Sequence, residues 1–415
     1  MAARGGDSGS LHKGSDAIAR DGAGHQEDVA ELVGALVAID SQNPHLAPGA
    51  AGESELARYC VAWLKQRGVE AWLDEVEPGR HNAVGRVDGR ESGGRVNGVD
   101  GGGRVGDGSG PVLSLCAHMD TVSVAGMDAP FEPRVEDGRL YGRGAYDMKG
   151  SVAAILLAMA RLAANPPLRG TVLASLVIDE EYASTGAADF VKRYPSDGCI
   201  VTEPSEGQLI LAHKGFVWAS IETRGVAAHG SRWQDGISAV AAMGRIIAAL
   251  DKYDQKVLRE RTHPLLGPAS MHCATISGGE NWSTYAAHCT LRVERRTLPG
   301  ETPDSVLQEI RDIVRATGEE ASVELVLTQP PLECAPDSAI AQAVRDAATE
   351  ATGAVPDDAG VAYWMDAAVF AAAGVETVNY GPAGAGAHAA VEWVDLASVA
   401  SCAEVLEAAA RRYCG

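Results

Sequence analysis

The chain has 415 residues, of which 46% are hydrophobic, 22% charged and 5% aromatic, and 35 Lys+Arg against 56 Asp+Glu give a formal net charge of −21. That length supports a sizeable core in roughly two to three domains, and the acidic balance argues against nucleic acid or an anionic membrane surface as a partner. The eight cysteines show no CxxC or other paired spacing, which is the usage of a reducing compartment and sets the expectation of a cytoplasmic protein.

Residues 1–25 are rich in Gly, Ser and Asp and have no apolar h-region, so they read as a disordered leader rather than a secretory signal. The first part of a catalytic domain is expected over 26–208. Within it, residues 53–66 place Leu56, Cys60, Trp63 and Leu64 on one helical face, with Gly68 as a stop. Strands are expected at 69–76 and 82–87. The stretch 88–110 is almost all Gly and polar residues, which predicts a flexible insertion. It contains Gly101-x-Gly103-x-x-Gly106, a formal dinucleotide fingerprint, but without the strand before it and helix after it that the fingerprint requires.

From Val112 strands and helices alternate. Strands are expected at 112–118, 171–179 and 199–204, with a helix at 148–162 and another before 199. Continuous apolar strands alternating with helices predict an α/β domain around a central, mostly parallel sheet. Over 209–328 the pattern changes to a βαββαβ-like block, expected to be an inserted α+β domain. The α/β character returns over 329–415, ending in a helix at 395–413.

The polar residues that interrupt this pattern fall at strand ends, where open α/β sheets collect their working groups. His118 and Asp120 close one strand, Glu180 and Glu181 the next, and Glu203 a third. Asp147 sits in a glycine-bearing loop before a helix, and His388 in a Gly/Ala loop after the strand ending near Tyr380. Each alone is commonly a helix cap or a solvated charge. Together they suit a divalent cation, because clustered carboxylates raise one another's pKa unless a cation neutralises them. Zinc suits two His with several Asp/Glu, with cobalt or manganese as alternatives.

In order along the chain, HMDTV (118–122), GRGAYDMKG (142–150), DEEYASTGA (179–187), TEPS (202–205) and AHAAVEW (387–393) resemble the M20 metallopeptidase family of deacylases, aminoacylases, dipeptidases and carboxypeptidases. The likeness runs from about residue 27 to the C-terminus. It implies two divalent metal ions, His118 and Glu203 holding one, Glu181 and His388 the other, with Asp147 bridging. It further implies Glu180 as general base and Asp120 as the partner of the second ring nitrogen of His118. The block at 209–328 would be the family's lid and dimerisation domain. In it His229 would stabilise the oxyanion across a homodimer interface, while Arg296 and Asn281 would hold a substrate carboxylate. The implied substrate is an N-acyl amino acid or a short peptide, the two remaining open as deacylase and dipeptidase or carboxypeptidase readings. A non-catalytic binding protein that kept the fold is the alternative from another class. Ser123, Ser151 and Val375-Glu376 depart from the common pattern without removing a ligand.

Overall fold

The computed structural model describes residues 28–91, 110–124 and 126–415. The expected leader at 1–25, most of the 88–110 insertion and its glycine fingerprint lie outside them. The chain forms two compact units. Unit 1 comprises residues up to Gln208, Ala343–Pro356 and Asn379–Gly415; unit 2 comprises Leu209–Gln342 and Asp357–Val378. The chain leaves unit 2 at Ala343 and enters it again for 357–378.

Unit 1 carries strands in the order Glu70–Glu77, Arg80–Asp88, Thr171–Val177, Val112–His118 and Gly198–Val201. The first two joins are antiparallel and the last two parallel, so the sheet is mixed rather than mostly parallel. The physical reason lies in the connection between the first two strands. Glu77 pairs with Arg80 across Pro78-Gly79, and a two-residue turn with Gly79 at φ +77° allows only a hairpin.

Every residue of Val112–His118 and of Thr171–Val177 is buried, as continuous apolar strands covered on both faces should be. Helix Gly150–Ala164 has buried residues around most of its circumference and packs against helix Leu396–Tyr413. Helix Ser54–Gln66 buries only one stripe, Leu56, Ala57, Cys60, Val61 and Leu64, and packs on the hairpin. Each fully buried Leu or Ile in these faces contributes about 1.5–3 kcal/mol relative to exposure. A second, four-stranded sheet of Gly384–Ala385, Trp393–Asp395, Arg139–Tyr141 and Arg134–Glu136 brings two loops of unit 1 side by side.

Unit 2 contains the expected βαββαβ block. Its four antiparallel strands lie in the order Ser270–Gly278, His288–Thr297, Gly215–Arg224 and Ala321–Gln329. Helices Ala239–Lys256 and Pro303–Ala316 close the core on one face, where Val217, Ile221, Met243, Ile246, Leu291, Val293 and Ile310 are buried together. Helix Pro303–Ala316 starts sharply because Thr302 and Ser305 form a reciprocal capping box with Pro303 in the first turn. Among the described residues, no helix is long and apolar enough to cross a membrane.

Candidate metal centre

Three parallel strands of unit 1 end on one edge. Register pairs His118 with Val177 and Cys116 with Val201, so His118, Asp179 to Glu181, and Glu203 emerge together. Asp147 enters from the stretch Ala145–Lys149, whose backbone departs from helical geometry at Asp147 and Met148 before helix Gly150–Ala164 begins. Gly144, at φ +77°, makes that entry possible, since a Cβ there would lie 2.6 Å from Thr121 Cγ2. His388 comes from the loop between Ala385 and Trp393, itself at φ +61°.

These side chains meet. Asp147 divides its carboxylate between the two histidines: Oδ1 lies 3.1 Å from His118 Nε2, and Oδ2 lies 3.2 Å from His388 Nε2. His118 Nε2 is also 3.4 Å from Glu203 Oε1, and His388 Nε2 is 3.0 Å from Glu181 Oε2. Donor atoms of His118, Asp147 and Glu181 fall within 4.8 Å of one another, as do those of His118, Glu180 and Glu203.

The electrostatics follow from that crowding. Burial opposes a charge on His118, yet Glu203, Asp147 and Asp120 outweigh it and raise its pKa well above the usual imidazole value. Hydrogen bonds to Asp147 and Glu181 raise His388 to about 10, against the effect of its burial. Burial alone would raise Asp147, but the two histidines hold it far below the normal carboxylate range. Burial, and then the charge of Asp147, raise Glu181. Two imidazole nitrogens facing carboxylate oxygens of Asp147, Glu181 and Glu203, three acids whose charge two protonated rings would not fully balance, form a donor set that fits divalent ions.

Behind the donors lies a buried polar network. Asp120, 1% exposed, accepts hydrogen bonds from Glu180 N at 3.1 Å, Glu181 N at 3.1 Å and Asn43 Nδ2 at 2.8 Å. Asn43 Nδ2 also donates to Asp179 Oδ1 at 3.0 Å, and Asp179 is paired with Arg80, which in turn donates to Glu53. The second ring nitrogen of His118 is met by the backbone oxygen of Asp120 at 2.9 Å, while the carboxylate expected to serve it stands at 3.6 Å. The Asp120 side chain is committed to the backbone of the Glu180–Glu181 pair instead. Asn43, Arg80, Asp179, Arg143 and Glu392 were not among the predicted site residues. Glu392 had a sequence signal, its place in AHAAVEW; Asn43 and Arg80 had none.

The remaining predicted residues belong to unit 2. The loops bearing His229 and Asn281 are paired by Gly230 N to Ser283 O at 2.7 Å and Tyr285 N to Ala228 O at 2.9 Å. His229 Nδ1 lies 2.8 Å from Ser231 Oγ, and Asn281 Oδ1 accepts from Ser283 N and Thr284 Oγ1 at 3.0 Å each. Arg296 is held by Glu294 at 2.8 Å and lies over Phe216, 5.4 Å from its ring centroid.

A mixed α/β unit with imidazoles and carboxylates converging at its strand ends is an arrangement that suits a metal-dependent hydrolase. The chain belongs to the peptidase family M20/M25/M40, whose family model matches residues 114–412. It is 32% identical over 323 residues to the acetylornithine deacetylase of Myxococcus xanthus, covering 75% of this chain and 82% of that protein. It is 28% identical over 310 residues to the N-formyl-4-amino-5-aminomethyl-2-methylpyrimidine deformylase of Bacillus subtilis (strain 168), covering 70% and 68%. Among solved structures, the aminopeptidase PepT from Bacillus cereus ATCC 10987 superposes with a TM-score of 0.75 at 20% identity over 94% of this chain and 99% of that one. The YXEP protein of Bacillus subtilis, described as a dinuclear metal-binding peptidase, superposes with a TM-score of 0.68 at 16% identity over 94% and 98%. These relationships make the chain a hydrolase of the peptidase and deacylase kind, and they share its fold.

Proposed function

We propose that the protein is a dimetal amidohydrolase that removes the acyl group from an N-acyl amino acid. The observation that carries this reading is the division of Asp147 between His118 and His388, one carboxylate oxygen to each. His118 and Glu203 would hold one ion and His388 and Glu181 the other, with zinc preferred over cobalt or manganese. Bound there, divalent ions supply Lewis acidity that polarises the scissile carbonyl and acidifies the attacking water.

The chain's own residues do the rest. Glu180 takes a proton from the water as its oxygen attacks the carbonyl carbon, then returns it to the amine nitrogen as the C–N bond breaks. The products are a carboxylate and a free amine. Asp120 fixes the backbone from which Glu180 and Glu181 diverge. His229, supplied by the second subunit of a homodimer, stabilises the oxyanion. Asn281 and Arg296 hold the substrate carboxylate, Arg296 exchanging Glu294 for it. The deacetylase and deformylase relatives support a simple acyl group rather than an aminoacyl or peptidyl one on the nitrogen that departs, and the cysteine spacing supports a cytoplasmic setting.

The test is a hydrolysis panel of N-acetyl, N-formyl and N-succinyl amino acids, with N-acetylornithine among them, against dipeptides. Cleavage of the N-acyl compounds is expected. Cleavage of dipeptides alone would make the protein a dipeptidase on the same centre.

A further inference from the structure

The loop that brings Asp147 and the loop that brings His388 are tied to each other by one buried ion pair. Arg143 and Glu392 are each 2% exposed. Arg143 Nη1 donates to Glu392 Oε2 at 2.7 Å, and its Nη2 donates to the backbone oxygen of Ala389, next to His388, at 3.0 Å. In return, Glu392 Oε2 accepts from Gly144 N, and its Oε1 accepts from Tyr146 N and from Asp147 N, all at 3.0 Å. The backbone oxygen of Glu392 accepts from Gly142 N at 3.2 Å. Each loop thus lends one charged side chain to satisfy the backbone of the other.

A buried charge pair is costly to desolvate, and partners for its remaining donors and acceptors offset that cost; Arg143 Nε is buried without a hydrogen-bond partner, so the offset comes from the other groups of the pair. Here four donors converge on one carboxylate, and one of them is the amide of Asp147 itself. Fixing that amide fixes the Cα from which the two Asp147 oxygens diverge toward His118 and His388. The opposite half of the pair restrains His388 through its neighbour, at a residue whose positive φ is not its own preference. We infer that Arg143 and Glu392 are positioning residues, a reciprocal clamp that holds Asp147 and His388 at the separation at which they share a metal ion. This rests on the metal-centre reading given above.

The experiment uses full-length protein stripped with chelator and titrated with Co2+, followed by calorimetry and by the visible absorption of the bound ion. Asp147→Asn first asks whether Asp147 is a ligand, and loss of tight binding is expected. Glu392→Gln keeps the volume but removes the charge. It should weaken Co2+ binding about 10- to 100-fold and change the visible spectrum, while the chelated protein still melts cooperatively. Arg143→Lys keeps the charge but cannot reach Glu392 and Ala389 together, so a smaller loss in the same direction is expected. The double variant should lose no more than the worse single one, because both break one device. A Glu392→Gln protein with wild-type affinity and spectrum, beside an Asp147→Asn protein that has lost binding, overturns the clamp and leaves the metal centre standing. Additive losses in the double variant overturn it too. Should Glu392→Gln fail to fold, wild-type binding by Arg143→Lys is the overturning result. Wild-type binding by Asp147→Asn removes both the metal-centre reading and the clamp.

Discussion

Replacing Asp120 by Asn tests the link between the buried network and the site. The carboxylate accepts one N–H on Oδ1, from Glu180, and two on Oδ2, from Glu181 and Asn43. An amide must turn its NH2 toward one side, and the cheaper orientation faces it against Glu180 N alone. That leaves one buried donor opposed by another, at about 1–3 kcal/mol. The two surviving bonds drop from charge-assisted to neutral, at about 1 kcal/mol each. Removing a negative charge that acts on Glu53 relieves part of this, so a net loss of about 2–4 kcal/mol is expected. Urea unfolding of the chelated protein measures it. Because Glu180 N is the group released, kcat of the metal-loaded enzyme should also fall by about 10- to 100-fold. An Asp120→Asn variant with unchanged unfolding midpoint and unchanged kcat would refute the argument that this carboxylate holds the Glu180–Glu181 backbone.

Glu180→Gln should keep its metal content while kcat falls about 10²- to 10⁴-fold; loss of metal along with activity would make Glu180 a ligand, as its closeness to His118 and Glu203 permits. Chelation should abolish hydrolysis and added Zn2+ or Co2+ restore it, with elemental analysis giving two ions per chain; a full-activity enzyme with one ion rejects the dimetal reading. In unit 2, burial pushes His213 down to about 4. Its folded pKa lies below the unfolded value of about 6.5, so the unfolded chain binds more protons between those limits. Stability from this group is whole above pH ~6.5 and is lost by about 3 kcal/mol as pH falls toward 4. His213→Leu should flatten that part of the stability-versus-pH curve, and a wild-type slope in the variant would contradict it.

The strand-end donors were legible in the sequence because each is a local event: a buried apolar run that stops at His118, Asp179 or Glu203 names its own terminus. The helix over 28–37 was equally legible, with Val29, Leu32, Val33, Leu36 and Val37 buried at helical spacing, although it lies outside the elements predicted above. The hairpin at Pro78-Gly79 carried the signal for an antiparallel join that strand–helix alternation further along obscured. What could not be read are partnerships between side chains distant along the chain. Asn43 gives no sign that it will bridge Asp120 and Asp179, nor Arg143 that it will find Glu392. The same limit applies to Asp120, where the residue type was informative but not whether carbonyl or carboxylate would meet the His118 ring.

Unit 1 is built from separate stretches of chain, and His388 lies in the last of them, beyond the whole of unit 2. A ribosome making this protein therefore extrudes His118, Asp147, Glu181 and Glu203 long before their final companion exists. On the proposed metal centre, a nascent or prematurely terminated polypeptide would hold four of the five donors, and reactivity should be withheld until synthesis is nearly finished. Cutting the chain anywhere in unit 2 would part these residues into two fragments, and on the proposed metal centre neither should be active until the two re-associate.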